Sequence, residues 1–237
     1  MTLIRKAIIM GAGLGSRMAP LTDDKPKPLI PFMGKPLIDH ALARLEAAGV
    51  EEVVVNLHYK ADQLEAHLTG RDRPKIIFSD ERDLLLDTGG GVKKARPFLG
   101  DDPIFTFNSD SVWIEGQRPT LTRMLEVWDP SRMDALLMIS SAVNTIGEVR
   151  RGDFTMGPMG ELFRRQPACV APFMYAGVQI IDPKLFDEGP DGPFSTNLVW
   201  DRAIERGRLF GLRMEATWMH VGTPGDLEDA ERFLRNL

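Results

Sequence analysis

The strongest constraint on the fold is an alternation. Through the first half of the chain, short apolar runs with β character are separated by stretches of helical periodicity, which predicts an α/β sheet with parallel neighbours. Ile4 to Met10 reads as the first strand. The clearest helix is "KPLIDHALARLEAAGV": Pro36 suits its first turn, Leu37, Ile38, Ala41, Leu42, Leu45 and Ala48 recur at helical spacing, and Gly49 supplies a stop. Strands are then expected at Glu52 to Leu57, Lys75 to Phe78 and Ile104 to Phe107, with a short helix at Asp62 to Leu68. The second half is less regular. It offers strands at Ala135 to Ile139, Met174 to Ile181 and Leu209 to Met214, and helices over Asn197 to Arg206 and Pro224 to Leu234.

A chain of 237 residues can bury one sizeable core, so a single domain over 1–237 is expected. The net charge of −5 gives no general pull toward nucleic acid, and any anion site must therefore be local. The N-terminal apolar run is too short to span a membrane and no small-residue cleavage site follows it, which predicts a cytoplasmic protein without a membrane partner. Cys169 is the single cysteine, so no intrachain disulfide can form; its neighbours Ala168, Val170 and Ala171 predict a buried structural thiol. Oligomeric state has no signature in the sequence.

Ligands of open α/β sheets bind beyond the carboxyl ends of the strands, so the loops after Met10, Leu57, Phe78 and Phe107 should converge on one crevice. The first of these loops, "GAGLGSRMAPLTDDKPKPL", is the most informative. A glycine-rich turn after a strand lets backbone N–H groups face a phosphate, although glycines also serve packing alone. The dinucleotide fingerprint fails here, because its three glycine positions hold Gly11, Gly13 and Ser16 and no acidic residue follows at the required distance. The Walker loop fails as well, since this loop ends Gly15-Ser16-Arg17 without the lysine. Arg17, Lys25 and Lys27 follow the glycines, and Pro26 and Pro28 restrict the backbone around Lys27. Positive charge fixed in this way suits a site that meets phosphate; a solvated charged loop is the competing reading.

These residues resemble the signature of the sugar-1-phosphate nucleotidyltransferases, G-x-G-x-R followed about ten residues later by P-K-P. The resemblance continues in order through "LDTGGGV" (Leu86 to Val92), "NSD" (Asn108 to Asp110), "YAGVQIIDP" (Tyr175 to Pro183) and "TWMHVGTPGDL" (Thr217 to Leu227). It implies a Rossmann-like mixed, mainly parallel sheet flanked by helices. It also implies an enzyme that transfers a nucleoside monophosphate from a nucleoside triphosphate to a sugar-1-phosphate, releasing pyrophosphate. Within the family the chain is most similar to the compact N-acetylmuramate-1-phosphate uridylyltransferases of bacterial cell-wall (peptidoglycan) recycling. Guanylyl transfer to mannose-1-phosphate is the alternative, and a non-catalytic nucleotide-sugar sensor is a rival of another class.

By that resemblance the backbone of Gly11, Ala12, Gly13, Leu14, Gly15 and Ser16 holds the nucleotide and Arg17 meets the leaving pyrophosphate. Lys27 bridges the α-phosphate and the sugar phosphate. Asp110 matches an aspartate that binds Mg²⁺. The family's second metal-binding aspartate is replaced here by His220, a poorer partner for a hard cation, so a water-mediated role or use of Mn²⁺ comes into question. Glu81, Thr88, Gly89 and Gly90 fall where related enzymes touch base and ribose, and Gly177 matches a backbone contact to the sugar; Asn56 and Asn108 are candidates by their strand-end places, for the nucleotide and the sugar respectively, and Asn197 is a candidate partner for a sugar hydroxyl. Arg164 and Arg165 are either a solvated face or partners for a carboxylate such as the lactyl group of muramate.

Overall fold

Strand β1 (Lys6–Met10) shows why the sheet is buried on both sides. Ala7, Ile8 and Ile9 are all fully inaccessible, although successive side chains of a strand leave opposite faces. The computed structural model describes residues 3–147 and 151–237. After β1 come β2 (Pro31–Phe32), β3 (Lys35–Pro36), β4 (Glu52–Leu57), β5 (Lys75–Asp80), β6 (Ile104–Asn108) and β7 (Ser111–Ile114). The later strands are β8 (Ala135–Ser141), β9 (Thr145–Ile146), β10 (Phe154–Met156), β11 (Leu162–Arg164), β12 (Phe173–Ile181), β13 (Leu209–Arg213) and β14 (Thr217–His220). The helices are α1 (Leu37–Ala47), α2 (Ala61–Leu68), α3 (Asp87–Leu99), α4 (Thr120–Val127), α5 (Asn197–Glu205) and α6 (Pro224–Arg235).

The main sheet runs β11-β10-β12-β6-β1-β4-β5, with β8 on β12 and β13 on β8. Its β6-β1-β4-β5 part is parallel, β13 is parallel to β8, and β12 joins β6 and β8 antiparallel. This is the mixed α/β architecture expected. Alternation along the strands divides the core in two. Ala7, Ile9, Val53 and Val55 join one cluster with Ile38 and Leu42 of α1 and Leu64 of α2. Ile8 and Val54 face the other, with Val92 and Ala95 of α3 and Val199 and Ala203 of α5. A third cluster packs Leu227 and Ala230 of α6 against Met18 and Ile30, which bracket the segment carrying Lys27.

The structure differs from the sequence expectations at several points. Pro36 is the residue before α1 and pairs with Pro31 in a short hairpin. Helices α3 and α4 were not expected, and α3 contains Gly89, Gly90 and Gly91, which intrinsic propensity would keep out of a helix. Each glycine is explained by a close neighbour: an added Cβ would lie 2.4 Å from the Phe194 ring at Gly89, 2.6 Å from the Gly192 carbonyl at Gly90, and 2.9 Å from Asn56 Nδ2 at Gly91. Cys169 is exposed, not buried. Its segment runs outside the sheet after β11, with Val170 76% exposed and the Cys169 carbonyl accepting from Arg165. Among the described residues no helix is long and apolar enough to cross a membrane.

Candidate active site

The carboxyl ends of β1 and β6, the start of α3 and the loop after β1 enclose a cavity of about 560 Å³. Its wall includes Gly11, Ala12, Gly13, Gly15, Arg17, Lys27, Asn56, Thr88, Asn108 and Asp110. Of the four loops predicted to converge, those after β1, β5 and β6 line it, the β5 loop through Leu85, whereas β4 contributes the strand residue Asn56 and not the loop beyond it. The β5 loop first turns inward at Glu81.

That inward turn fixes the glycine loop. Asn56, at the buried end of β4, accepts from the amides of Gly11 (2.6 Å) and Ala12 (3.3 Å) and donates from Nδ2 to Glu81 Oε1 at 2.8 Å. Glu81 is fully inaccessible and its other oxygen accepts from the Leu86 amide. Burial pushes its carboxyl above the ordinary range, opposed by the hydrogen bonds from Asn56 and Leu86. Glu81 is therefore absent from the cavity wall, contrary to its expected place against the base, and acts on the site through Asn56. Gly11 has no room for a side chain there, since a Cβ would lie 2.9 Å from the Asn56 carbonyl.

The amides of Gly11 and Ala12 are thus spent on Asn56, which corrects the expectation that the whole loop from Gly11 to Ser16 presents N–H groups to a ligand. The run that remains is Gly13 to Arg17, whose backbone N–H groups have no acceptor among the described residues. Leu14 and Ser16 do not line the cavity, and the Leu14 side chain is exposed. Gly15 turns the chain at φ +64°, where a Cβ would sit 3.0 Å from Lys27 Cβ, so glycine permits the loop to lie directly against the lysine segment.

Lys27 opens a 3₁₀ turn between Pro26 and Pro28. Its Nζ donates to Asp110 Oδ2, and the two side chains are only 12% and 25% exposed. Asp110 sits in the turn between β6 and β7. Arg17 lines the same cavity with no carboxylate partner among the described residues. An array of free amides, one unpaired guanidinium and one lysine held by a single carboxylate is suited to bind a polyanion.

His220 ends β14 opposite Ser111, next to Asp110. Burial lowers its pKa, while Asp110 and Asp226 act to raise it and Lys27 and Arg17 to lower it. His220 is not part of the cavity wall; its Nε2 packs over Gly222, where a Cβ would come within 2.6 Å. Asp226 closes the start of α6, accepting from Thr223 Oγ1 at 2.8 Å.

The remaining expected residues separate into two groups. Thr88 lines the cavity, and its Oγ1 accepts from the Thr196 amide. The amides of Gly89 and Gly90 both go to the Phe194 carbonyl, so they are not free for a ligand, and neither glycine lines the two cavities. Gly177, at φ +82°, packs against Ser111 beneath the Asp110 turn, where a Cβ would be 2.1 Å from Ser111 Oγ; it too is absent from the cavity wall. Asn108 and Thr88, with Met10, also border a second cavity of about 280 Å³. Asn197 lines that one, together with Asp153, Arg164, Tyr175, Gln179 and Trp200. Sequence reasoning missed most of this second cavity. A signal did exist: Gln179 is the one polar residue in the buried half of β12, and it accepts from Trp200 Nε1 while donating to Thr106 Oγ1.

Comparison with known proteins agrees with the architecture. The family model described as nucleotidyl transferase matches residues 6–144. An N-acetylmuramate alpha-1-phosphate uridylyltransferase of Caulobacter vibrioides is 46% identical over 222 residues, 92% of each chain. A protein of the same name from Neisseria meningitidis serogroup B is 31% identical over 95% of this chain and 96% of its own. A solved structure of UDP-glucose pyrophosphorylase with UDP-glucose superposes with a TM-score of 0.80 over 99% of this chain and all of that one, at 17% identity.

Proposed function

This chain belongs to the nucleotidyl transferase family, and from that premise we propose that it transfers a uridylyl group from UTP to N-acetylmuramate 1-phosphate, releasing pyrophosphate. The observation that carries the chemistry is the convergence of Gly13, Gly15, Arg17, Lys27 and Asp110 on one cavity. The choice of base and sugar rests on the similarity to the Caulobacter protein.

In this reaction an oxygen of the sugar phosphate bonds to the α-phosphorus of UTP while the bond to the bridging oxygen of pyrophosphate breaks. A phosphate monoester with a second pKa near ~6 is already an anion at neutral pH, so no side chain has to remove a proton. The obstacle is the repulsion of two polyanions, and the protein answers it with position and charge. The amides of Gly13 to Arg17 hold phosphate oxygens, and Arg17, with no carboxylate partner among the described residues, meets the leaving pyrophosphate. Lys27, mostly shielded from water, places its charge between the α-phosphate and the incoming sugar phosphate. Asn56 and Glu81 hold the glycine loop in place, and Thr88 and Asn108 border both cavities.

Asp110 is suited to hold Mg²⁺. Among the described residues no group of three acidic, histidine or cysteine side chains forms a cage, and Mg²⁺ is commonly held by one or two carboxylates with phosphates and waters. When bound, the ion neutralises phosphate charge. His220, next to Asp110, is a weaker partner for a hard cation than the family's aspartate.

Incubation of the purified protein with UTP, N-acetylmuramate 1-phosphate and Mg²⁺ should release pyrophosphate and form the sugar nucleotide, detected by mass. Faster turnover of mannose 1-phosphate with GTP, and none of the muramate substrate, would overturn the assignment.

A further inference from the structure

We propose that Arg164 is the residue that reads the carboxylate of the sugar's lactyl ether, an inference that rests on the uridylyl-transfer reading above. N-acetylmuramate differs from N-acetylglucosamine by this one acidic substituent, so an enzyme that selects it needs a cation on the sugar side of the site.

Arg164 ends β11 and lines the second cavity. Its guanidinium is held on one edge: Nε donates to Asp201 Oδ1 at 2.7 Å, and Nη2 donates to the carbonyl and to Oδ1 of Asn197 at 3.1 and 3.0 Å. The Cζ atom lies 5.0 Å from the ring centroid of Phe154 and 5.5 Å from that of Trp200. Nη1 alone has no partner among the described residues. An arginine kept only for solubility has no reason to be fixed by two residues of α5 and two aromatic rings. Fixing it removes in advance the rotamer entropy that binding would otherwise cost.

The position also fits. The second cavity meets the first along Met10, Thr88 and Asn108, so a sugar entering it keeps its phosphate toward Lys27. Asp153 lines the same cavity, accepting from the Tyr175 amide at 2.9 Å, and makes no ion pair with Arg164. Its negative charge repels a carboxylate from that part of the wall and leaves Arg164 as the acid's place. Arg165, adjacent in sequence, points elsewhere and donates to the carbonyls of Gly152 and Cys169.

The test compares wild type with Arg164→Gln and Arg164→Lys in the full chain, using UTP with N-acetylmuramate 1-phosphate or N-acetylglucosamine 1-phosphate. Calorimetric binding of the two corresponding UDP-sugars runs in parallel, so that weak turnover of the second sugar does not blind the comparison. A charge-assisted hydrogen bond predicts that Arg164→Gln weakens the muramate compounds about 10–100-fold more than the glucosamine compounds, chiefly in KM. Arg164→Lys should recover part of the loss. Equal losses for both sugars, or none, would overturn the role of Arg164 while leaving uridylyl transfer intact. A wild-type protein that uses no muramate substrate would overturn both. Melting curves confirm that each variant is folded; should Arg164→Gln fail to fold, the same comparison on Arg164→Lys decides the matter.

Discussion

Lys27 and Asp110 stand 83 positions apart in sequence, and Lys27 Nζ donates directly to Asp110 Oδ2 at the wall of the larger cavity. The pair is partly withdrawn from water, so each charge acts at a lower effective dielectric than it would on the surface. Lys27→Met should lower kcat/KM by about 10²–10³ with the fold retained, as loss of a preorganised donor commonly does. Pyrophosphate release measures it. A variant near wild-type rate would remove Lys27 from the chemistry.

Asp110→Asn keeps the shape of the turn but weakens a hard-cation ligand. The rate should then need more Mg²⁺ for half-saturation, and EDTA should abolish turnover of both proteins, with restoration on adding Mg²⁺. Titration of the ion at fixed UTP checks this. An unchanged half-saturation value would separate Asp110 from the ion.

Asn56→Ala leaves the Gly11 amide and Glu81 Oε1 without their partner, both in buried surroundings. Unsatisfied groups of this kind cost about 1–3 kcal/mol each. For a chain of this size each kcal/mol lowers Tm by about 2–4 °C. Scanning calorimetry should show the loss, together with a raised KM for UTP as the glycine loop loosens.

The raised pKa of Glu81 makes stability depend on pH in a defined direction. The folded state holds the proton more tightly than the unfolded chain, whose carboxyl titrates near 4.5. Its stabilising contribution is complete below that value and is lost as pH rises through the folded pKa. Glu81→Gln retains an acceptor for Asn56 and removes the titration. Urea midpoints from pH 4 to 8 should therefore show wild type losing ground to the variant as pH rises; parallel curves would contradict this.

Two glycines of the same loop should behave differently. Gly11→Ala drives a Cβ into the Asn56 carbonyl and should cost about 1–3 kcal/mol, the usual penalty of overpacking. Gly13 has no protein atom within 4 Å of an added Cβ, so Gly13→Ala should leave Tm unchanged and impair UTP binding, because the new methyl enters the cavity. Melting temperature and KM measured together distinguish the two effects.

The parts of this protein legible in its sequence were those encoded locally. Periodicity and apolar runs placed β4 at Glu52–Leu57 and found the strands and helices around it, and the order of strand and loop indicated which strand ends meet. The rest depended on contacts across the fold. Glu81 matched a place where related enzymes touch base and ribose, but a turn buries it under Asn56. Gly89 to Gly91 carry no helical signal because glycine disfavours helix, yet they lie within α3, where neighbours from distant segments need the space. Cys169 has apolar neighbours in sequence, but it and the adjacent Val170 are exposed. The second cavity gathers residues of β1, β6, β11, β12, α3 and α5, and no single stretch of sequence contains enough of it to be recognised.

The narrow frontier between the cavities, Met10, Thr88 and Asn108, separates two inheritable tasks. Substitutions at Asp153, Arg164 or Asn197 lie outside the wall that carries Arg17, Lys27 and Asp110. A lineage can accordingly trade one acceptor for another by rewriting the far compartment while the bond-making compartment stays as it is.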